Sequence, residues 1–428
     1  MLSLLLRAAV ACIALLLGVS ATAQAESPEP AELTLASAID MALKRNPDLM
    51  ASRYELTAAQ ARIVQAGLRP NPQVGLELEN FAGGGAFKGT DALETTLSLS
   101  QVIELGGKRG LRQSVAQADS DLIAIEQRAR QLDVLAEVTR RFIDVVAAQE
   151  RTRFAAENSK LAQQTLDAVN ARVQAARAPV AEGSRARIAV TRTSIEERQA
   201  AAALRSARYA LVSLWGDVEP TFRAASADLF AFAPVEAFPA LVARIERNPD
   251  ITRFASQARL RESELRLAQA QARPNVALSF GVRQLQESND AALVAGFSMP
   301  LPVFDRNQGA IREARVRRVQ SDAELQAALV RIRGTLYAAY QEMTAARESA
   351  DSLRNEAVPQ AQTALEQTQN GYERGRFSFL ELLTAQQELL DLRAAAIDAA
   401  ADYHRLLAEL ERVTSEPLTT NDIEAPLP

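Results

Sequence analysis

Few side chains in this sequence could do covalent or metal chemistry, and those few do not meet. A transition-metal site needs clustered thiolate, thioether or imidazole ligands. Here the single cysteine is Cys12, the single histidine is His404, and the five methionines include the initiator. No Cys/His pair and no Ser/His/Asp spacing that would activate a nucleophile can be assembled. The stretch "LGGKRG" (Leu105–Gly110) has the look of a phosphate cradle. However, Val102 stands where the leading glycine belongs, and Arg109 replaces the Ser or Thr. A lone His404 on a late helix reads as structural. The chain therefore reads as no enzyme, with no cofactor and no resident metal.

Hydrophobic residues make up 48% of the chain, aromatic residues only 5% and charged residues 24%. That is the Ala/Glu/Leu/Arg balance of long helices and coiled coils. The net charge of −5, with no basic face interleaved with aromatics, argues against nucleic acid as a partner. Residues 1–25 read as an export signal. Arg7 precedes a short apolar run, Ala8–Val19, and Ala23-Gln24-Ala25 is a small-x-small cleavage pattern. Lipid attachment at Cys12 fits poorly, because Ala9 stands where leucine is usual. The mature chain then begins at Glu26, without a thiol and without a run long enough for a transmembrane helix.

The chain contains itself twice. "LKRNPDLM" (Leu43–Met50) returns as "IERNPDIT" (Ile245–Thr252), and "LRPNP" (Leu68–Pro72) as "ARPNV" (Ala272–Val276). The spacing predicts a first repeat over 26–216, an aperiodic linker over 217–239, a second repeat over 240–415 and a tail over 416–428. Each repeat opens with a short helix ending at Asn-Pro, then a helix of moderate length. Strands follow at about 72–81 and 91–103, and at about 275–286 and 291–303. Their period-two alternation gives one apolar and one polar face, at the length of a tilted strand crossing a bilayer.

After each strand pair comes a helix of unusual length. One hairpin is expected over about 108–215, turning near 177–183, and one over about 305–413, turning near 371–378. Past Gly110 no Pro or Gly interrupts the first outward helix before Ala176. Pro359 marks a kink in the second. Apolar residues seven apart, such as Leu383, Leu390 and Ile397, and Leu382, Leu389 and Ala396, predict supercoiled packing. Gly106, Gly107, Pro300 and Pro302 mark the strand-to-helix junctions, with Asp305 near a helix start. Asp305 and Arg306 read as junction residues and not as ligands.

Four strands cannot close a barrel, and an open sheet edge in hydrocarbon is not viable. The strands must pair with other copies of the chain. Two copies give eight strands and three give twelve; spacing alone leaves this open.

The duplicated order, with "NPDL", "LRPNP", "LSQVIELGGKR", "PLPVFDRNQG" and "YERGRFSFLELLTAQQELL", resembles the TolC-type outer-membrane efflux channels over about Leu33–Ser415. "PLPVFDRNQG" and "LGGKRG" resemble most the heavy-metal, CzcC-like branch. The resemblance implies a mainly α fold with a small β part. As a homotrimer, it would form a twelve-stranded barrel in outer-membrane lipid and a helical tunnel reaching into the periplasm. It implies a periplasmic adaptor at the hairpin tips and an inner-membrane RND pump as partners. The implied function is a passive exit duct for cobalt, zinc or cadmium ions. Alternatives are a drug or type I secretion duct and, from another class, a trimeric coiled-coil structural or adhesive surface protein.

The resemblance also assigns residues. Glu381 matches the first acidic ring residue of the tip, while the second acidic position is Thr384 here. Tyr372 matches a tyrosine that holds the closed state through an acidic residue on the neighbouring hairpin, with Glu182 as that partner. An arginine that helps closure in some members is Phe377 here. Pro179, Val180, Gly375, Arg376 and Phe377 lie at the expected tips, as adaptor contacts.

Overall fold

The computed structural model describes residues 32–418. The expected export signal, Cys12 included, and residues 419–428 of the expected tail lie outside the described residues. The Asn-Pro pairs begin helices as well as ending them. After β1 (Glu32–Leu33) and α1 (Leu35–Arg45), Asn46 caps α2 (Pro47–Ala66) by accepting the Leu49 N–H at 3.0 Å. Proline at the first helical position loses nothing, since its missing N–H would have no partner there. The Asn46 amide donates to the Leu214 carbonyl at 2.7 Å. In the second repeat Asn248 does the same. It caps α6 (Pro249–Gln271) through the Asp250 N–H at 2.7 Å and donates to the Val413 carbonyl at 2.7 Å. Each asparagine thus fastens the start of its repeat to the end of the long hairpin that closes it.

The four long strands form one antiparallel sheet in the order β2 (Gln73–Glu79), β3 (Glu94–Ile103), β5 (Val276–Leu285), β6 (Asp290–Ser298). Register aligns the apolar residues in rows, Val74–Leu99–Phe280–Ala295 and Leu76–Leu97–Val282–Leu293. This face is exposed, Leu293 to 90%. The opposite face carries Gly75, Ser98 and Gly281, then Glu77, Thr96 and Arg283. Arg283 spans three strands, pairing with Glu94 at 2.7 Å and Glu79 at 3.0 Å. β2 and β6 are both unpaired on their outer edges. β6 stops at Ser298, short of the expected 303, because Pro300 and Pro302 have no N–H to give a ladder.

At the first junction Gly106 (φ +80°) and Gly107 (φ +72°) take left-handed conformations that other residues resist. A Cβ on Gly106 would also lie 2.9 Å from the Arg273 side chain. Lys108, from the glycine-rich stretch, donates to the Arg273 carbonyl at 2.6 Å and to Asn275 Oδ1 at 2.5 Å, so its ammonium ties one repeat to the other. Asp305, three residues before the second long helix begins at Gln308, accepts the Asn307 N–H at 2.8 Å, so it shapes the turn and does not sit in the first helical turn.

The first hairpin is α3 (Lys108–Gln174) and α4 (Val180–Val212). With 67 residues α3 is about 100 Å long. The second is α7 (Gln308–Ser352), α8 (Val358–Glu373) and α9 (Phe379–Thr414). A π turn, Leu353–Ala357, joins α7 to α8, and the Val358 N–H reaches back to Leu353. The expected kink at Pro359 is thus absorbed just before the proline. Buried positions Leu336, Met343 and Ala350 lie seven apart before the π turn, and Leu365 and Tyr372 seven apart after it. On α9, Leu382, Leu389, Ala396, Tyr403 and Leu410 form one buried seven-residue seam.

The expected linker is packed and contains structure. β4 (Ala224–Ala225) pairs in parallel with β1, and Gln149 on α3 holds both polar groups of Ala225. Phe222 and Leu229 join the buried cluster of Phe142, Leu211 and Trp215. Two residues of pairing are too short to show a period, which is why this strand pair escapes a pattern search. Between repeats, α5 (Phe238–Arg244) lies against α7. His404 stacks on Phe232 with centroids 5.9 Å apart and bonds the Leu229 carbonyl at 2.9 Å. Burial pushes its pKa down, so it is a neutral packing residue.

Candidate functional site at the hairpin tips

Both tips are built alike. In the first, Arg177 N–H bonds the Arg172 carbonyl at 2.8 Å and Ala176 stands at φ +55°. In the second, Arg376 N–H bonds the Gly371 carbonyl at 2.8 Å and Gly375 stands at φ +73°. This is the Schellman pattern, in which a left-handed residue lets the chain satisfy the last helical carbonyls. The turns are shorter than the sequence implies. They occupy 175–179 and 374–378, because α4 begins at Val180 and α8 runs on to Glu373. Glu182 and Gly183 therefore lie in the first turn of a helix and not in the loop.

The hydrogen-bond pattern makes Glu182 and Glu381 equivalent, each third in its return helix. Their carboxylates do different things. Glu381 Oε2 accepts the Ser378 N–H at 2.6 Å and its hydroxyl at 2.8 Å, while Ser378 Oγ accepts the Glu381 N–H at 3.3 Å. This is a reciprocal capping box. The bonds from Ser378 hold the Glu381 pKa below its usual value. The residue expected to form an acidic ring is thus engaged on its own helix end. The Ser-x-x-Glu spacing carries that signal in the sequence.

Glu182 has Pro179 at the capping position, which offers neither N–H nor hydroxyl. Its carboxylate instead accepts the Tyr372 hydroxyl at 2.9 Å, across to the other hairpin. Tyr372 is 3% exposed, beside Phe379 at 5.9 Å between centroids. Burial, reinforced by the bond to Glu182, pushes its pKa up to about 12. Leu166, Val169, Ala186, Leu365, Leu382 and Leu389 complete the apolar cluster around it.

Arg172, on the last turn of α3, reaches the same tyrosine and was missed by the sequence reading. Its guanidinium donates to the Tyr372 carbonyl and lies 4.3 Å from the ring centroid. The remaining assigned tip residues are outward. Val180 is 75% exposed, Arg376 is exposed, and Phe377 is 42% exposed with its ring folded against Gly371. Thr384 bonds its own helix backbone at Leu380. Among the described residues no group of acidic, His or Cys side chains could hold a metal ion, and no helix is long and apolar enough to cross a membrane.

A duplicated chain with two strand pairs, two long helical hairpins and a packed belt between them defines a class. A model of the outer membrane efflux protein family matches residues 38–217 and 241–416. The chain belongs to that family, and its place is the outer membrane. Cobalt-zinc-cadmium resistance protein CzcC of Cupriavidus metallidurans is 28% identical over 381 residues, 89% of this chain and 90% of that protein. Nickel-cobalt-cadmium resistance protein NccC of Alcaligenes xylosoxydans xylosoxydans is 27% identical over 340 residues, 79% of this chain and 74% of that one. A crystal structure of CusC has the same fold, with TM-score 0.75 at 17% identity over 92% of this chain and 95% of that one.

Proposed function

We propose that this protein is the exit duct of a tripartite efflux system whose cargo is divalent heavy-metal cations such as cobalt, zinc and cadmium. The observation that carries the cargo is the likeness to CzcC and NccC, named for resistance to such metals and matched over 90% and 74% of their lengths. A duct must release what it passes, and a lumen of weak polar groups suits that better than a binding cage. The polar sheet face, with Glu77, Glu79 and Glu94 against Arg283, would line that lumen.

The assembly we propose is a homotrimer. Eight strands enclose only enough space for side chains, so a duct needs more than two copies of a four-stranded sheet. The internal repeat also supplies a register for closure. β6 corresponds to β3 and β2 to β5. The observed pair Leu99↔Phe280 then becomes Phe297 opposite Leu76 of the partner subunit. A Phe297→Cys, Leu76→Cys chain should therefore cross-link between copies on oxidation, in a mature chain with no other thiol. A monomeric product would count against this closure.

At the other end the Tyr372–Glu182 contact would hold the two hairpins together as a closed gate. Val180, Arg376 and Phe377, with Pro179 and Gly375 shaping the turns, would meet a periplasmic adaptor, and an RND pump in the inner membrane would supply the energy. The experiment is tolerance of a strain lacking this protein, with and without the restored gene, to zinc, cadmium, cobalt, hydrophobic antibiotics and bile salts. Loss of metal tolerance alone is the expected result. Drug sensitivity with metal tolerance intact would overturn the cargo and leave the duct standing.

A further inference from the structure

We propose that Arg172 is the positioning residue of the tip gate, supplying from the first hairpin the cation that the second hairpin lacks. The inference rests on reading the tip as a gate. In the second hairpin the position implied for a latch arginine holds Phe377. That ring is packed so closely on Gly371 that a Cβ there would sit 2.0 Å from it. Arg172 occupies the position equivalent to Gly371 in the first tip, where Ala178 stands in place of Phe377. Arg172 is half-buried and extends across the hairpin boundary to Tyr372.

There it meets Tyr372 in two ways, through the backbone carbonyl and through the ring face. Glu182 takes the hydroxyl. One aromatic residue of the second hairpin is thus gripped at three points by two residues of the first. The planar guanidinium is suited to this, because it can stack on a ring and donate sideways from the same plane. The Nε of Arg172 is buried without a hydrogen-bond partner, so the guanidinium's contacts are those with Tyr372. Its charge is therefore directed at Tyr372.

The grip orders the ring whose hydroxyl reaches Glu182, so Arg172 acts through Tyr372. Removing it should leave the tip folded. The Tyr372 carbonyl also accepts the Gly375 N–H at 3.0 Å, so no backbone acceptor is orphaned.

The competing role for Arg172 is to complement the C-terminal dipole of α3, which lysine would serve as well. Single-channel conductance in planar bilayers separates the two. The proteins are the wild type, Arg172→Ala, Arg172→Lys, Tyr372→Phe, and Arg172→Ala combined with Tyr372→Phe. Circular dichroism and detergent-resistant assembly check the fold of each. The expected result is a several-fold rise in open probability for both Arg172 variants, and a double variant no more open than Tyr372→Phe, since residues acting as one unit are not additive. If Tyr372→Phe opens the channel while Arg172→Lys behaves as wild type, the positioning role is overturned and the gate survives. If Tyr372→Phe itself changes nothing, the gate reading fails and takes this inference with it.

Discussion

The two hairpin tips are the same structure carrying different chemistry. Their turns share the Schellman bond at the outgoing helix end, a left-handed residue before the turn closes, and a glutamate third in the return helix. Among the replacements between them, three set this contrast: Arg172 for Gly371, Ala178 for Phe377 and Pro179 for Ser378. In the second tip serine calls its glutamate home to cap the helix, and phenylalanine closes over glycine. In the first tip proline has nothing to offer its glutamate, and alanine has no ring to lay over the arginine. One tip is self-contained, and the other projects both charges toward its neighbour. The two repeats share the scaffold; the tip without internal bonds to its own glutamate carboxylate makes the contact with the other.

The largest test of this contrast is Tyr372→Phe. A hydrogen bond to a charged group is worth about 2 kcal/mol, so the closed state should lose most of its advantage, read as open probability in bilayers. A wild-type response would break the contrast outright.

Pro179→Ser is the sharper test. It gives the first tip the capping residue of the second, and Glu182 should then turn back to its own helix end. The gain in capping is about 1 kcal/mol, so opening should rise less than in Tyr372→Phe and add nothing to it.

Ser378→Ala removes the cap from the second tip. Helix stability should fall by about 1 kcal/mol, seen as a lower Tm, while open probability stays unchanged because Glu381 takes no part in the grip. A change in gating would restore a channel role to Glu381.

The smallest effect is one of pH. Tyr372 is raised from 10.0 to about 12, so its protonated form is favoured in the folded tip. That contribution is fully present below 10.0 and is lost as pH rises through about 12. Raising pH from neutral to near 10 should leave the tyrosine's hold intact. Opening that began well below 10 would show that the hydroxyl proton is not protected.

What could be read from the sequence followed from repetition and period. Alternation located β2, β3 and β5 to within a few residues, since apolar and polar residues take turns along each. Seven-residue spacing located the α9 seam through Ala396. The belt was not legible, because β1 and β4 pair over two residues and the intervening phenylalanines follow no period. Tyr372 and Glu182 could be named by resemblance, and their contact is what the geometry adds. Arg172 could not be found that way, because its role depends on what the opposite tip lacks. The engagement of Glu381 is carried by the spacing Ser378-x-x-Glu381, a capping signal that the resemblance to an acidic ring does not use.

The π turn at Leu353–Ala357 works like a leap day. A helix turns in 3.6 residues while its buried seam recurs every seven, so the seam lags by about 20° each cycle. Left alone, the lag reaches about one residue in five cycles. The seam Leu336, Met343, Ala350 does not resume at position 357; it resumes at Val358 and continues through Leu365 to Tyr372. The inserted residue resets the calendar once, partway along. On an uncorrected count the date at the tip would fall on Gly371, and the side that faces Arg172 and Glu182 would carry no ring to grip.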